Sequence, residues 1–269
     1  MRVFLATVYL FLYAPIALVV VFSFNAGRSA TQMTGFSLQW YGKALSNVFL
    51  TDALKTSLLV AFTSAAFAAV FGTMAAMGMQ RLSPRLRAAF DGLLAAAIVV
   101  PGVVIGIATL VALAGLFGVI NPALAELSPS APQFQMGYLS LIAAHGLFSM
   151  ALVAMIVKAR IASLSRDIVE ASYDLYASPL ATFFQIVLPQ LRPAILAGFL
   201  MSFTFSFDDF IIAFFVAGAK TTLPMYVFAS IRRGVTPEIN AIATMVLVAS
   251  LILIAAAWLL MRKRSVNAA

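Results

Sequence analysis

Residues Ala194-Ile-Leu-Ala-Gly-Phe-Leu-Met-Ser-Phe-Thr-Phe-Ser-Phe-Asp-Asp-Phe-Ile-Ile-Ala-Phe-Phe-Val-Ala-Gly218 form one long apolar run whose only charges are an adjacent pair of carboxylates. At about 1.5 Å of rise per residue, a helix of this length crosses the roughly 30 Å hydrocarbon core of a bilayer. Similar runs recur at about 3–24, 56–79, 91–119, 137–157 and 241–261, which makes six predicted spans. The composition demands the same reading. Of the 269 residues, 63% are hydrophobic and 10% charged, with a mean hydropathy of +1.05. Soluble domains sit near 45–50% and about 25%, so a water-soluble globule is excluded. The sequence predicts an all-α membrane protein, treated as a single domain over 1–269 with the lipid bilayer as its solvent. Pro101-Gly102 lies within the overlong third run and predicts a kink or a partly unwound turn there. The first run exceeds the roughly 7–15 residues of a signal-peptide core and is taken as a retained helix.

The chain has 17 Lys and Arg against 9 Asp and Glu. These cations lie in short loops rather than along one face, so no nucleic acid is expected as a partner. Arg2, Arg81, Arg85, Arg87, Lys158, Arg160, Arg166, Arg192, Arg262, Lys263 and Arg264 fall on one side of the six spans. The smaller set, Arg28, Lys43, Lys55, Lys220, Arg232 and Arg233, falls on the other. The positive-inside rule then predicts both termini in the cytoplasm. No cysteine and a single histidine leave no material for thiolate chemistry or a zinc site, and no metal site is expected.

The long inner connection, 158–193, contains Glu170-Ala-Ser-Tyr-Asp-Leu-Tyr-Ala-Ser-Pro-Leu-Ala-Thr-Phe-Phe-Gln-Ile-Val-Leu-Pro189. It reads as two short helices meeting at an elbow, with Ser178 capping the second and Pro179 at its first position. Pro189 and Pro193 are expected to stop the helix before the fifth span. Such an elbow can offer Leu175 and Tyr176 to a partner's groove, with Glu170 and Asp174 one turn apart on one flank. An amphipathic helix lying on the headgroups has the same composition.

Asp208-Asp209 is the one place where carboxylates interrupt a predicted span well away from its ends. Charge there costs at least about 2.5 kcal/mol, so it calls for a wet path or a partner. Adjacent helical residues differ by about 100°, so at most one can point squarely into a narrow pore. One reading is attraction of a cation, helped by the hydroxyl of Ser206 and the ring faces of Phe207 and Phe210. The other is an internal salt bridge or a helix cap, for which Arg232, Arg233 or a partner subunit would supply the counter-charge.

The inner segment resembles the EAA loop of binding-protein-dependent ABC importer permeases, whose form is E-A-A-x-x-x-G followed by hydrophobic-x-L-P. Glu170-Ala171 and Ile186-Val187-Leu188-Pro189 match, while Ser172 replaces the second alanine and Tyr176 stands where the family places glycine. The strings Ser202-Phe-Thr-Phe-Ser-Phe-Asp-Asp209, Thr222-Leu-Pro-Met225 and Arg233-Gly-Val-Thr-Pro-Glu-Ile-Asn-Ala241 resemble permeases of the spermidine/putrescine importer family. So do Tyr13-Ala-Pro-Ile-Ala17, Ser23-Phe-Asn25 and Phe36-Ser-Leu-Gln-Trp-Tyr41. The resemblance implies a type I ABC importer permease fold and import of a linear polyamine across a bacterial inner membrane. It implies as partners an ABC ATPase dimer, a second permease subunit and a periplasmic polyamine-binding protein. No G-x-x-x-x-G-K-[ST] occurs, so ATP would be used by the partner and no cofactor bound by this chain. By the same resemblance Ser206, Asp208 and Asp209 line the route, Trp40 sits at the outer mouth, and Glu170 belongs to ATPase coupling.

Two readings stand for Trp40-Tyr41: an interfacial anchor, or a contact to substrate or binding protein. His145, among Ala and Gly in the fourth span, reads as a hydrogen-bonded packing residue or a proton relay. Gly102-x-x-x-Gly106 and the Ala/Gly-rich face of 65–78 read as close-packing surfaces. The alternatives are a permease for another small organic cation or amino-acid-derived substrate, and a stand-alone ion-coupled secondary transporter. The latter predicts paired helix breaks, of which the sequence displays only Pro101-Gly102.

Overall fold

The computed structural model describes residues 1–29, 32–128, 130–234 and 237–266. In chain order its helices are α1 (Arg2–Phe22), α2 (Gln39–Ser46), α3 (Val48–Met79), α4 (Pro84–Val99), α5 (Gly102–Leu127) and α6 (Tyr138–Ala162). Then come α7 (Arg166–Asp174), α8 (Pro179–Thr182), a π-helical turn (Phe183–Val187), α9 (Leu188–Asp208), α10 (Ile211–Val216), α11 (Leu223–Arg233) and α12 (Pro237–Val266). Of the quoted strings, only Val235-Thr236 lies outside the described residues.

Among the described residues, five segments are long and apolar enough to cross a membrane: Val3–Phe22, Val48–Met79, Gly102–Leu127, Tyr138–Ala162 and Pro179–Asp208. The described apolar part of α12, Pro237–Ile252, is shorter. Two expected spans are therefore redrawn. The run at 91–119 is not one kinked helix. Val100 and Pro101 are extended, at ψ 130° and 137°, so α4 ends and α5 begins afresh at Gly102. Proline disfavours helical backbone at the residue before it, and here Val100 takes the extended alternative. The fifth run is also broken, at Asp209 (φ −71°, ψ 122°), and its inner end starts earlier than read. Pro189 and Pro193 do not stop the helix: Pro189 lies in the first turn of α9 and Pro193 inside it. The wider π turn immediately before Pro189 gives its ring room and removes the need for its missing N–H.

The chain forms two compact units, Met1–Asp52 with Tyr226–Ala269, and Ala53–Met225. In the first, α12 packs against α1 and α2. A loop beyond α1 is organised by Asn25, whose Nδ2 donates to the carbonyls of Ser29 and Gln32, both at 2.8 Å. Its Oδ1 accepts from the Thr34 N–H at 2.9 Å. Asn47 Nδ2 donates to Glu238 Oε1 at 2.7 Å and to the Tyr226 hydroxyl at 3.1 Å, which fixes the acid at the start of α12.

In the second unit α6 is the central helix, packed by α4, α5, α9 and α10. It is apolar on every side, as a helix surrounded by neighbours must be. One core cluster joins Val60, Leu141, Ala144, Ile212, Ala213 and Val216; another joins Ala68, Ala76, Val153, Val157 and Leu191. Small residues set the spacing. A Cβ on Gly72 would stand 2.8 Å from the Met150 carbonyl oxygen, and one on Gly106 would stand 2.7 Å from Phe215 Cδ2. Both expected close-packing faces are thus in use, against α6 and α10 respectively.

Candidate functional site

The two helix breaks meet beside α6. Asp209 ends α9, and its Oδ2 accepts the Ala213 N–H at 2.9 Å, satisfying one of the amides that a helix start leaves without a partner. The other end of α10 is held as well. Ser140 Oγ donates to the Val216 carbonyl at 2.6 Å while accepting the Gly137 N–H at 2.7 Å. The short helix is thereby clamped at both ends, and Asp209, just before it, lines a cavity of about 190 Å³. Val100 and Gly102 from the α4–α5 break, His145, Phe148 and Ser149 from α6, and Phe205 and Ser206 from α9 line that cavity with it.

His145 is the partner that sequence reasoning did not find for the acidic pair. Its ring is 2% exposed, with Nδ1 at 2.7 Å from Ser206 Oγ and Nε2 at 3.5 Å from Asp209 Oδ2. The Nε2 separation exceeds hydrogen-bond length, and this atom has no hydrogen-bond partner among the described residues. Arg232, one of the expected counter-charges, lies over the Phe228 ring at 4.8 Å, and the side chain of Arg233 falls outside the described residues. The signal available in the sequence was His145, Phe148 and Ser149 at i, i+3 and i+4, one face of an otherwise mostly aliphatic helix.

The pair itself is divided. Asp208 is exposed and lines a separate, open groove with Leu200, Met201, Thr204 and Phe205. Phe207 stacks on Phe203 at 6.0 Å and Phe210 packs with Phe214 at 5.6 Å. The rings at the cavity are instead Phe148 and Phe205, edge to face at 6.1 Å. Ser206 and Asp209 are therefore brought together, whereas Asp208, Phe207 and Phe210 are not among the groups lining this cavity.

Trp40 and Tyr41 belong to the other unit. Trp40 is 6% exposed and its indole N–H donates to the Asn25 carbonyl at 2.7 Å. The Tyr41 hydroxyl meets Ser23 Oγ at 2.7 Å. Both rings pin the loop that Asn25 organises.

The inner elbow and its Ser178 cap are present, but its second arm is the start of the helix that runs on to Asp208 rather than a separate short helix. Ser178 Oγ accepts the Ala181 N–H at 3.2 Å, with Pro179 in the first turn of α8. The replacement at Ser172 has a structural role: its hydroxyl meets Thr182 Oγ1 at 2.7 Å, both buried, and ties α7 to α8. Tyr176 adopts φ 59° and closes α7 with two bonds, its own N–H to Tyr173 O at 2.9 Å and the Ala177 N–H to Ser172 O at 3.0 Å. This pairing is the Schellman cap, normally closed by glycine. Its tip is bare, with Leu175 82% and Tyr176 97% exposed. Glu170 and Asp174 are exposed along the same helix, while Pro189, as described above, belongs to α9.

The sequence profile of the family described as "Binding-protein-dependent transport system inner membrane component" matches residues 68–263. The chain is 41% identical over 257 residues to the putrescine transport system permease protein PotI of Escherichia coli K12, covering 94% of this chain and 87% of that one. It is 33% identical over 263 residues to the spermidine/putrescine transport system permease protein PotC of the same organism, covering 97% and 94%. Among solved structures it resembles a bacterial ABC transporter involved in the import of the acidic polysaccharide alginate. The TM-score is 0.72 at 16% identity, covering 97% of this chain and 94% of that one, a likeness of fold. With the profile spanning most of the chain and these relatives matching nearly all of it, the protein belongs to the binding-protein-dependent ABC importer permeases, as an inner-membrane component.

Proposed function

We propose that this chain carries a linear polyamine, putrescine or a close analogue, through an ATP-driven importer, and that Asp209 is the group that receives a cargo ammonium. One observation carries the reading. A carboxylate sits where two broken helices meet a cavity, and no Lys or Arg among the described residues forms an ion pair with it. At 4 Å and an effective dielectric near 20, a carboxylate and an ammonium attract by about 4 kcal/mol, and the Phe148 and Phe205 rings add their negative faces. The names of the relatives, with putrescine in both, support the same cargo.

The elbow of α7 and α8 supports docking to a separate ATPase dimer. Its exposed tip carries Leu175 and Tyr176, flanked by Glu170, Ala171 and Asp174, and ATP is used by that partner rather than bound here. A second permease subunit and a periplasmic polyamine-binding protein complete the assembly, with both termini of this chain in the cytoplasm.

The test is uptake of radiolabelled putrescine by the complete transporter. Asp209→Asn keeps an oxygen for the Ala213 N–H but removes the charge, so uptake at low substrate falls at least about tenfold with assembly intact. Asp208→Asn has the smaller effect. Wild-type uptake by Asp209→Asn refutes the role of the carboxylate, and uptake by this chain alone in vesicles refutes the ATP-driven importer.

A further inference from the structure

We infer that His145 is the positioning residue of Asp209, an uncharged donor that orients the carboxylate without competing with a cationic cargo. The proposal rests on the reading of Asp209 as the cargo carboxylate. Three features of the geometry support it.

The first is the direction of the ring's proton. Ser206 Oγ lies 2.7 Å from Nδ1, and this hydroxyl makes no other hydrogen bond among the described residues. We assign the hydroxyl as the donor to Nδ1, the arrangement that gives its proton an acceptor, which puts the ring's own N–H on Nε2. That N–H is on the side of Asp209 Oδ2, 3.5 Å away, and nothing else among the described residues accepts it. The proposal requires this pair to close from 3.5 Å to hydrogen-bond length.

The second is which oxygen is held. Oδ2 already accepts the Ala213 N–H at 2.9 Å. Once the ring closes on the same oxygen, the carboxylate is fixed from two sides, while its other oxygen makes no hydrogen bond among the described residues. A carboxylate held in this way presents one lone-pair direction to an incoming ammonium instead of a swinging group.

The third is the absence of competing charge. Of the groups lining the cavity, Asp209 is the only carboxylate and His145 the only other titratable one. A Lys or Arg in place of His145 would form a salt bridge that every cargo molecule must first displace. A neutral N–H orients the same carboxylate and leaves its full charge for the cargo.

The experiment is a set of His145 variants in the complete transporter, assayed for putrescine uptake with KM and maximal rate separated and assembly checked by co-purification. Gln can place an amide N–H where Nε2 stands, Asn reaches only the Nδ1 position, and Leu offers no polar atom. His145→Gln is expected to keep KM within about threefold of wild type, while His145→Leu and His145→Asn raise it about tenfold at similar maximal rate, the loss of one hydrogen bond to a charged group. His145→Lys is expected to abolish uptake although assembly persists. An unchanged KM in His145→Leu overturns the proposal. So does a KM for Gln as high as that for Leu, or a loss of maximal rate in every variant in step with lost assembly, which is what a packing role alone produces. Asp209→Asn is run alongside: if it transports like wild type, the reading of Asp209 fails first and the proposal with it, whereas a defective Asp209→Asn beside a normal His145→Leu overturns the proposal alone.

Discussion

Tyr176→Gly separates the folding role of a residue from its partner role, because the two effects have opposite signs. Tyr176 holds φ 59°, a conformation that costs an L-residue roughly 1–2 kcal/mol and glycine nothing. Glycine gives back about 0.5–1 kcal/mol through the greater freedom of its unfolded chain, so the net effect on the elbow is a gain of about 0.5 kcal/mol. The ring adds nothing on the other side of this balance within the chain, since it is 97% exposed. Purified in detergent, the glycine variant should therefore unfold at the same temperature as wild type or slightly above it. If Tyr176 is seated in the ATPase subunit, removing a tyrosine from the middle of an interface weakens association by about 2 kcal/mol, roughly thirtyfold in Kd. The assay is binding of the ATPase subunit to the chain in nanodiscs, beside thermal unfolding. Tyr176→Ala is the control: it keeps the backbone strain and loses the ring, so it should bind as poorly as glycine and be the less stable of the two. A glycine variant that unfolds earlier refutes the backbone argument. One that binds the ATPase as tightly as wild type refutes the docking of this tip.

Two further substitutions probe what positions the site. Gly106→Ala places a Cβ 2.7 Å from Phe215 Cδ2 and 3.3 Å from Ile212 Cα. Overpacking of this kind costs about 1–3 kcal/mol, so the variant should melt earlier, and uptake should fall because α10 carries the cap on Asp209. Trp40→Phe removes the indole N–H that donates to the Asn25 carbonyl at 2.7 Å, while keeping a ring. The expected loss is about 1 kcal/mol of stability, seen as faster proteolysis of the loop after α1, with the KM for putrescine unchanged; a raised KM would assign Trp40 to the substrate path instead.

What could be read ahead of the structure follows the range of the interactions involved. Span length and the break at Pro101 depend on neighbours in sequence: apolar run length, and the steric effect of a proline on the residue before it. The Ser178-Pro179 cap is local in the same sense, and it formed as read. Pro189 and Pro193 misled because their effect depends on the backbone they join. A π turn just before Pro189 lets one helix run on from α8 to Asp208, so the rule that proline ends a helix does not apply there.

The break at Asp209 has no proline or glycine to announce it. It exists because distant groups satisfy its loose ends: the carboxylate takes the Ala213 N–H, and Ser140, 76 residues before Val216, takes the last carbonyl of α10. His145 lies 61 residues before Ser206, and only the packing of α6 against α9 brings it to the acidic pair. This explains why the charged residue was legible and its setting was not. A carboxylate in an apolar run is conspicuous in one dimension, because its cost is set by the surrounding solvent. Whether it caps a helix, pairs with a base or faces a cavity is decided by the three-dimensional neighbours. Here Asp209 does the first through one oxygen, approaches the second without reaching hydrogen-bond length, and lines the third. In one dimension the cap and a cation site read as alternatives, yet the cap uses only Oδ2 and leaves the other oxygen of the carboxylate without a hydrogen bond among the described residues. The oxygen bound to the helix start fixes the direction in which the remaining charge is offered.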